Sequence, residues 1–160
     1  FMHLQQYNPA VYKSELAALR KKVKTTENLK IIATDISRDA IEISKVNAGL
    51  AQVEDLIEWE QCDFAATQVP QATGGVVVFN PEYGERLGQL DELHQTYALI
   101  GDFLNHQCKG YQGFIFTGNL DLAKKIGLRA SSRIELYNGK IDCRLLQYEL
   151  YEGTRRPVIA

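Results

Sequence analysis

The chain has 160 residues, 45% of them hydrophobic and 24% charged, with a formal net charge of −2. That is one domain's worth of globular sequence, with enough bulk for a core. The charge balance excludes a protein that grips nucleic acid by charge alone, because phosphate contacts need clustered Lys and Arg. No apolar run reaches the length of a membrane span and no signal-peptide pattern opens the chain. Three cysteines, Cys62, Cys108 and Cys143, stand at wide spacing in an odd number. They form neither a CxxC pair nor a disulfide ladder, which predicts reduced thiols in a cytosolic, cytoplasmic protein.

In chain order, residues 1–12 are polar-aromatic, with Asn8-Pro9 as a helix start. From Ala10 to Val23 the apolar residues Val11, Leu16, Ala17, Leu19 and Val23 predict a helix. Its basic end, Arg20 to Lys24, suits a helix C-terminus better than an RNA contact. Asn28 to Lys30 make a turn. Ile31-Ile32-Ala33 reads as a short buried strand that ends at Thr34-Asp35. A second helix opens at Ser37 or Arg38, with Ala40, Ile41, Ile43, Ser44, Ala48 and Leu50 on its apolar side.

Leu56 to Cys62 alternates as a strand, with Ile57, Trp59 and Gln61 on one side, and ends at Asp63-Phe64. A polar loop through Pro70 and Gly74-Gly75 leads into an apolar strand, Val76 to Phe79. Leu90 to Asn105 has helical periodicity through Leu93, Tyr97, Leu99, Ile100, Phe103 and Leu104. Gly113 to Thr117 reads as another apolar strand, followed by Asn119 and a short helix, Leu120 to Ile126. The chain then changes character. Ser132 to Tyr137 and Ile141 to Tyr151 flank Asn138-Gly139, a hairpin signal because both residues tolerate positive φ. Strand–helix alternation followed by a hairpin predicts an α/β fold, a mostly parallel sheet with an antiparallel C-terminal edge.

The chemistry concentrates after Val76 to Phe79. The strand stops abruptly at Asn80-Pro81-Glu82-Tyr83, continued by Gly84-Glu85-Arg86-Leu87. Open α/β sheets bind ligands beyond the carboxyl ends of their strands, where this segment falls. On residues alone, Asn80 to Tyr83 reads either as an Asn-Pro turn with a surface tyrosine or as a site. Asp35 likewise either caps the following helix or accepts hydrogen bonds from the hydroxyls of a ribose. Asp63 is a solvated loop aspartate or a second acceptor at a strand exit. His3, His94, His106 and the cysteines form no ligand set, so no metal is expected.

The string Asn80-Pro81-x-Tyr83-Gly84-Glu85-Arg86-Leu87 resembles that of bacterial S-adenosylmethionine-dependent ribosomal RNA guanine-N2-methyltransferases, a group that often carries an upstream THUMP RNA-binding domain. Asp142-Cys143, with Asn138-Gly139 before and Gln147-Tyr148 after, also resembles the end of that group and implies a fold role. The resemblance implies a Rossmann-like class I methyltransferase domain over residues 31–151, preceded by a helical lead-in, 1–30, and followed by a tail, 152–160. It also implies that the family's first strand and glycine-rich loop are absent. With Phe1 as its first residue, the chain is expected to be part of a longer protein, inactive by itself and weak toward cofactor.

By resemblance, Asp35 would hold the ribose of S-adenosyl-L-methionine with Ile36 against the adenine. Asp63 would accept from the adenine amino group and the Phe64 backbone would donate to the ring. Asn80 and Pro81 would hold the target amine, with Asn80 also bordering the cofactor, and Tyr83 would stack on a guanine of ribosomal RNA in a flipped or single-stranded context. A fused upstream domain would supply the rest of the RNA grip. Glu82 departs from the family pattern, where a second proline is usual. It either points outward and alters only the rate, or reads the guanine N1–H, or marks an inactive enzyme. Two other functions stand beside this one: adenine-N6 methylation of DNA, and a non-catalytic RNA-binding or ribosome-assembly module that keeps the fold.

Overall fold

The computed structural model describes residues 2–24, 29–71, 74–83 and 90–151. Asn28, the Gly84-Glu85-Arg86-Leu87 continuation and the tail 152–160 lie outside these described residues. Two compact units divide the chain, Phe1–Gln61 and Cys62–Ala160.

In the first unit, helix α1 spans Pro9–Arg20. Asn8 caps it, its Oδ1 accepting from the backbone N–H groups of Ala10 (2.9 Å) and Val11 (3.3 Å), and Pro9 stands where a missing N–H costs nothing. No residue of α1 is buried; Tyr12 and Leu16, one turn apart, are half-buried, whereas Val11 and Leu19 are exposed. Strand β1, Ile31–Asp35, pairs in parallel with β2, Ile57–Gln61, and Asp35 stands opposite Gln61. Its three central residues are only half-buried and its two ends are exposed, so the expected buried strand is a half-covered one. Helix α2, Arg38–Leu50, buries Ile41 and Ala48. Ile43 and Leu50 project outward instead of joining the apolar side, because each lies about half a revolution from Ile41 at 3.6 residues per turn.

The second unit is a four-stranded sheet in the order β3-β4-β6-β5, formed by β3 (Val76–Phe79), β4 (Gln112–Thr117), β5 (Ser132–Asn138) and β6 (Ile141–Glu149). β3 and β4 are parallel; β6 runs antiparallel to both β4 and β5. Helix α3, Leu90–Gln107, crosses between β3 and β4 and buries Leu93, Tyr97, Ile100, Gly101, Phe103 and Leu104. A short helix α4, Leu120–Ala123, continues as a 3₁₀ turn, Lys124–Ile126. Pairing places Phe79, Ile115 and Leu146 on the sheet face that carries this core, with Val77, Gly113 and Tyr148 beside them. On the other face Val76 and Val78 are 60% and 64% exposed. Among the described residues β3 is therefore covered on one side only, although its unbroken apolar run reads as a strand buried on both. Among the described residues no helix is long and apolar enough to cross a membrane.

The hairpin turn is one residue later than the Asn-Gly pair suggests. Asn138 closes β5 opposite Ile141, and the positive φ falls on Gly139 (61°).

Candidate active site

In the first unit, β1 delivers Asp35 to its carboxyl end. The Asp35 Oδ1 accepts from the Ser37 N–H at 2.7 Å, and Ser37, not Asp35, caps α2 through its Oγ and the Ala40 N–H at 3.3 Å. Asp35 is exposed and Ile36 is 70% exposed. The Gln61 side-chain amide donates to the Ile36 carbonyl at 3.3 Å, so the ends of β1 and β2 are tied by a side chain as well as by the ladder. A carboxylate is an acceptor only, which matches the two hydroxyl donors of a nucleoside ribose.

In the second unit, Asp63 opens a 3₁₀ turn, Phe64–Ala66, its Oδ1 accepting from the Ala65 N–H at 2.9 Å. The Phe64 ring turns inward. It meets Phe79 edge-on at 5.5 Å and Phe103 edge-on at 5.8 Å, and Phe79 meets Phe103 at 5.9 Å. Such edge-to-face contacts add about 0.5–1.5 kcal/mol each beyond area burial. Because Phe64 follows Asp63 and Phe79 precedes Asn80, this three-ring cluster brings Asp63 and the exit of β3 to one place. The half-buried Phe64 side chain thus serves packing at this point.

Past Phe79 the chain leaves the sheet. Asn80 and Glu82 are exposed, while Pro81 and Tyr83 are half-buried. Tyr83 folds back over the sheet face opposite α3. Its ring stands edge-on to Phe116, centroids 6.2 Å apart and planes at 84°. The Asn138 side-chain amide donates to its hydroxyl at 2.9 Å, and the Cys143 thiol points to the same oxygen at 4.0 Å. Gly118, just past β4, leaves room for the ring: a Cβ there would lie 2.9 Å from Tyr83 Cδ2 and Cε2 and from Ile141 Cγ2. Behind this, the buried Thr117 hydroxyl is 2.8 Å from the Tyr97 hydroxyl and accepts from the Asn119 N–H at 3.1 Å. Burial raises the Tyr97 phenol above its ordinary pKa, the Thr117 bond opposes this, and nearby Tyr83 raises it further.

Sequence reasoning missed Phe116, Gly118, Ile141 and the side-chain role of Asn138. The Asn138-Gly139 pair was visible, but as turn chemistry; nothing in its spacing points to a tyrosine 55 residues earlier. Among the described residues no group of three or more His, Cys, Asp or Glu could hold a metal ion.

Residues 2–147 match a protein family described as UPF0020, the RMKL-like methyltransferase domain. The chain belongs to this family. Among curated relatives of this RMKL-like domain, the ribosomal RNA large subunit methyltransferase K/L of Syntrophotalea carbinolica is 44% identical over 125 residues, which are 76% of this chain and 18% of the relative. The protein of the same name from Shewanella frigidimarina is 33% identical over 99% of this chain and 23% of its own length. The chain therefore spans about a fifth of these relatives. Among solved structures, SMU.472 with SAH bound has a TM-score of 0.79 at 24% identity, covering 96% of this chain and 40% of that one. A protein from Listeria monocytogenes described as a predicted N6-adenine-specific DNA methylase has a TM-score of 0.64 at 32% identity, covering 75% and 30%. A class I methyltransferase fold of the α/β type follows.

Proposed function

We propose that this chain is part of an S-adenosylmethionine-dependent methyltransferase that modifies the exocyclic N2 amine of guanine in large-subunit (23S) ribosomal RNA. Family membership supports the methyl transfer, and the names of the relatives support the RNA. One observation carries the reading: Asn80-Pro81-Glu82-Tyr83 leaves β3 at the carboxyl end of a parallel strand pair, with the Asn80 amide exposed and the Tyr83 ring anchored.

S-adenosylmethionine supplies an activated methyl group on a sulfonium sulfur. The Asp35 carboxylate suits its ribose hydroxyls, Ile36 its adenine, and Asp63 with the Phe64 backbone the polar edge of that base. The remaining task falls to Asn80 and Pro81. A guanine amine is a poor nucleophile because its lone pair is delocalised into the ring. The Asn80 side-chain oxygen and the Pro81 carbonyl each accept one of its two N–H bonds, which draws the nitrogen toward tetrahedral geometry and frees the lone pair. Positioning and electrostatics lower the barrier, and no strong base need act first. Tyr83 stacks on the base once it has left its helix or loop. Exposed Glu82 stands between Pro81 and Tyr83 in the same segment. With a net charge of −2, the RNA grip comes largely from a fused segment.

Methyl transfer by the complete gene product to protein-free large-subunit rRNA and to duplex DNA tests the reading, with Asn80→Ala as the control. Transfer to rRNA guanine that drops at least about a hundredfold in the variant is expected, as for loss of a transition-state acceptor. Transfer to DNA adenine alone would replace this reading with the one favoured by the Listeria likeness. A protein that binds rRNA without methylating it would be an assembly module.

A further inference from the structure

We infer that Asn138, on the C-terminal hairpin, is the positioning residue of Tyr83; this rests on the stacking role proposed for that tyrosine. The turn does not require an asparagine at this place. The positive φ belongs to Gly139 (61°), and Asn138 is an ordinary β-residue opposite Ile141. What distinguishes the side chain is its partner: the amide donates to the Tyr83 hydroxyl at 2.9 Å across 55 residues of sequence.

Among the described residues, the other contacts of Tyr83 are non-directional or weak. Phe116 meets the ring on edge, Gly118 lies against one ring edge, and the Cys143 thiol lies 4.0 Å from the oxygen. The edge contacts limit rotation of the ring about its long axis but leave the direction of that axis soft. A hydrogen bond to the hydroxyl, which lies on the axis, fixes its direction, so that together they set the plane. A base that stacks on the ring needs that plane held. Asn138 is well placed to hold it, because β5 is paired with β6 along all seven of its residues, and sites anchored on strands are more exact than sites on loops. The segment that bears the tyrosine is thus tied to a fully paired strand.

The test compares Asn138→Ala, Tyr83→Phe and their combination in the complete gene product. The first readout is methyl transfer to protein-free large-subunit rRNA. The second is the quenching of 2-aminopurine in a single-stranded RNA, which reports stacking without any chemistry. Asn138→Ala is expected to raise KM roughly tenfold, the worth of one hydrogen bond, with kcat within about twofold, as for an interaction made equally in ground and transition states. Quenching should weaken in parallel. Tyr83→Phe should match it, and the double variant should be no worse than either single one. A purely structural asparagine would lower the melting temperature or the active fraction at unchanged KM, and that result would overturn the inference. So would quenching at the parental level in Asn138→Ala, or none in the parent. If the parent quenches but transfers no methyl group, the proposed function fails while the quenching comparison still decides the role of Asn138.

Discussion

Gly118 and Tyr83 are in contact because Gly118 has no side chain: a Cβ built there lies 2.9 Å from two carbons of the tyrosine ring. The backbone at Gly118 does not need positive φ, as it is not among the residues in that region, so the constraint is space alone. Gly118→Ala must therefore displace the ring or Ile141, whose Cγ2 lies at the same distance. The fold tolerates such a displacement at about 1 kcal/mol, the low end for overpacking. The proposed stacking does not, because small misplacements at a reacting centre cost far more in rate than in stability. A fall of roughly tenfold in kcat/KM for rRNA, with a melting temperature only slightly lowered, is the expected outcome. An unchanged rate would show that the ring is free to move.

Thr117 and Tyr97 share a buried hydrogen bond of 2.8 Å, and both residues are 0% exposed. Thr117→Val keeps the shape but leaves a buried phenol and the Asn119 N–H without their partner. The cost expected is about 1–3 kcal/mol, the desolvation penalty of an orphaned polar group. Adding Tyr97→Phe should recover part of that loss, since the unpaired hydroxyl is then gone. Urea unfolding of the two single variants and the double one measures the coupling; strict additivity would contradict a shared bond.

Much of this architecture is legible in the residues. Asn8 and Ser37 announce the helices they cap, Leu93, Tyr97, Ile100 and Leu104 mark the buried side of α3, and the apolar run ending at Phe79 marks a strand exit. What fails is whatever depends on a neighbour distant in sequence. The Val76–Phe79 run cannot tell that one face is uncovered. Phe64 carries no sign that its ring belongs with Phe79 and Phe103. Ile43 and Leu50 look like core until the helix is rotated to put Ile41 and Ala48 inward. For the site, Asn80 to Tyr83 was readable as a local string, but the residues that hold Tyr83 come from β4 and the hairpin, which only the fold brings to it.

Cys108 makes stability depend on alkaline pH. It is 0% exposed, and burial pushes its thiol up from near 9.0 to about 11. The folded value is above the unfolded one, so between them the unfolded chain has released a proton that the native state keeps. The contribution is complete below about pH 9 and is lost as pH rises through about 11. Burial likewise pushes the Tyr148 phenol to about 12, but that loss starts higher, near the ordinary phenol value of 10.0. The urea midpoint should therefore fall as pH is raised from about 8 to about 10, and Cys108→Ala should flatten the fall. In the native state, thiol reagents should reach half-buried Cys62 before Cys108 or Cys143, which are both buried.

Gly101 lies inside α3, where helix propensity alone favours alanine by about 1 kcal/mol. The structure reverses that sign. A Cβ on Gly101 would come within 2.0 Å of the Ile126 carbonyl oxygen and 2.8 Å of its carbon, so α3 rests directly on the backbone of the 3₁₀ turn. Backbone cannot swing aside as a side chain can. Either the helix or the turn must shift, and Leu122 and Ile126, both buried in the same core, must move with it. Overpacking of this kind costs about 1–3 kcal/mol or more, which exceeds the propensity gain. Gly101→Ala is expected to lower the urea midpoint clearly, and Gly101→Ser no less. A stabilised alanine variant would mean that α3 and the turn are farther apart than the distances here require.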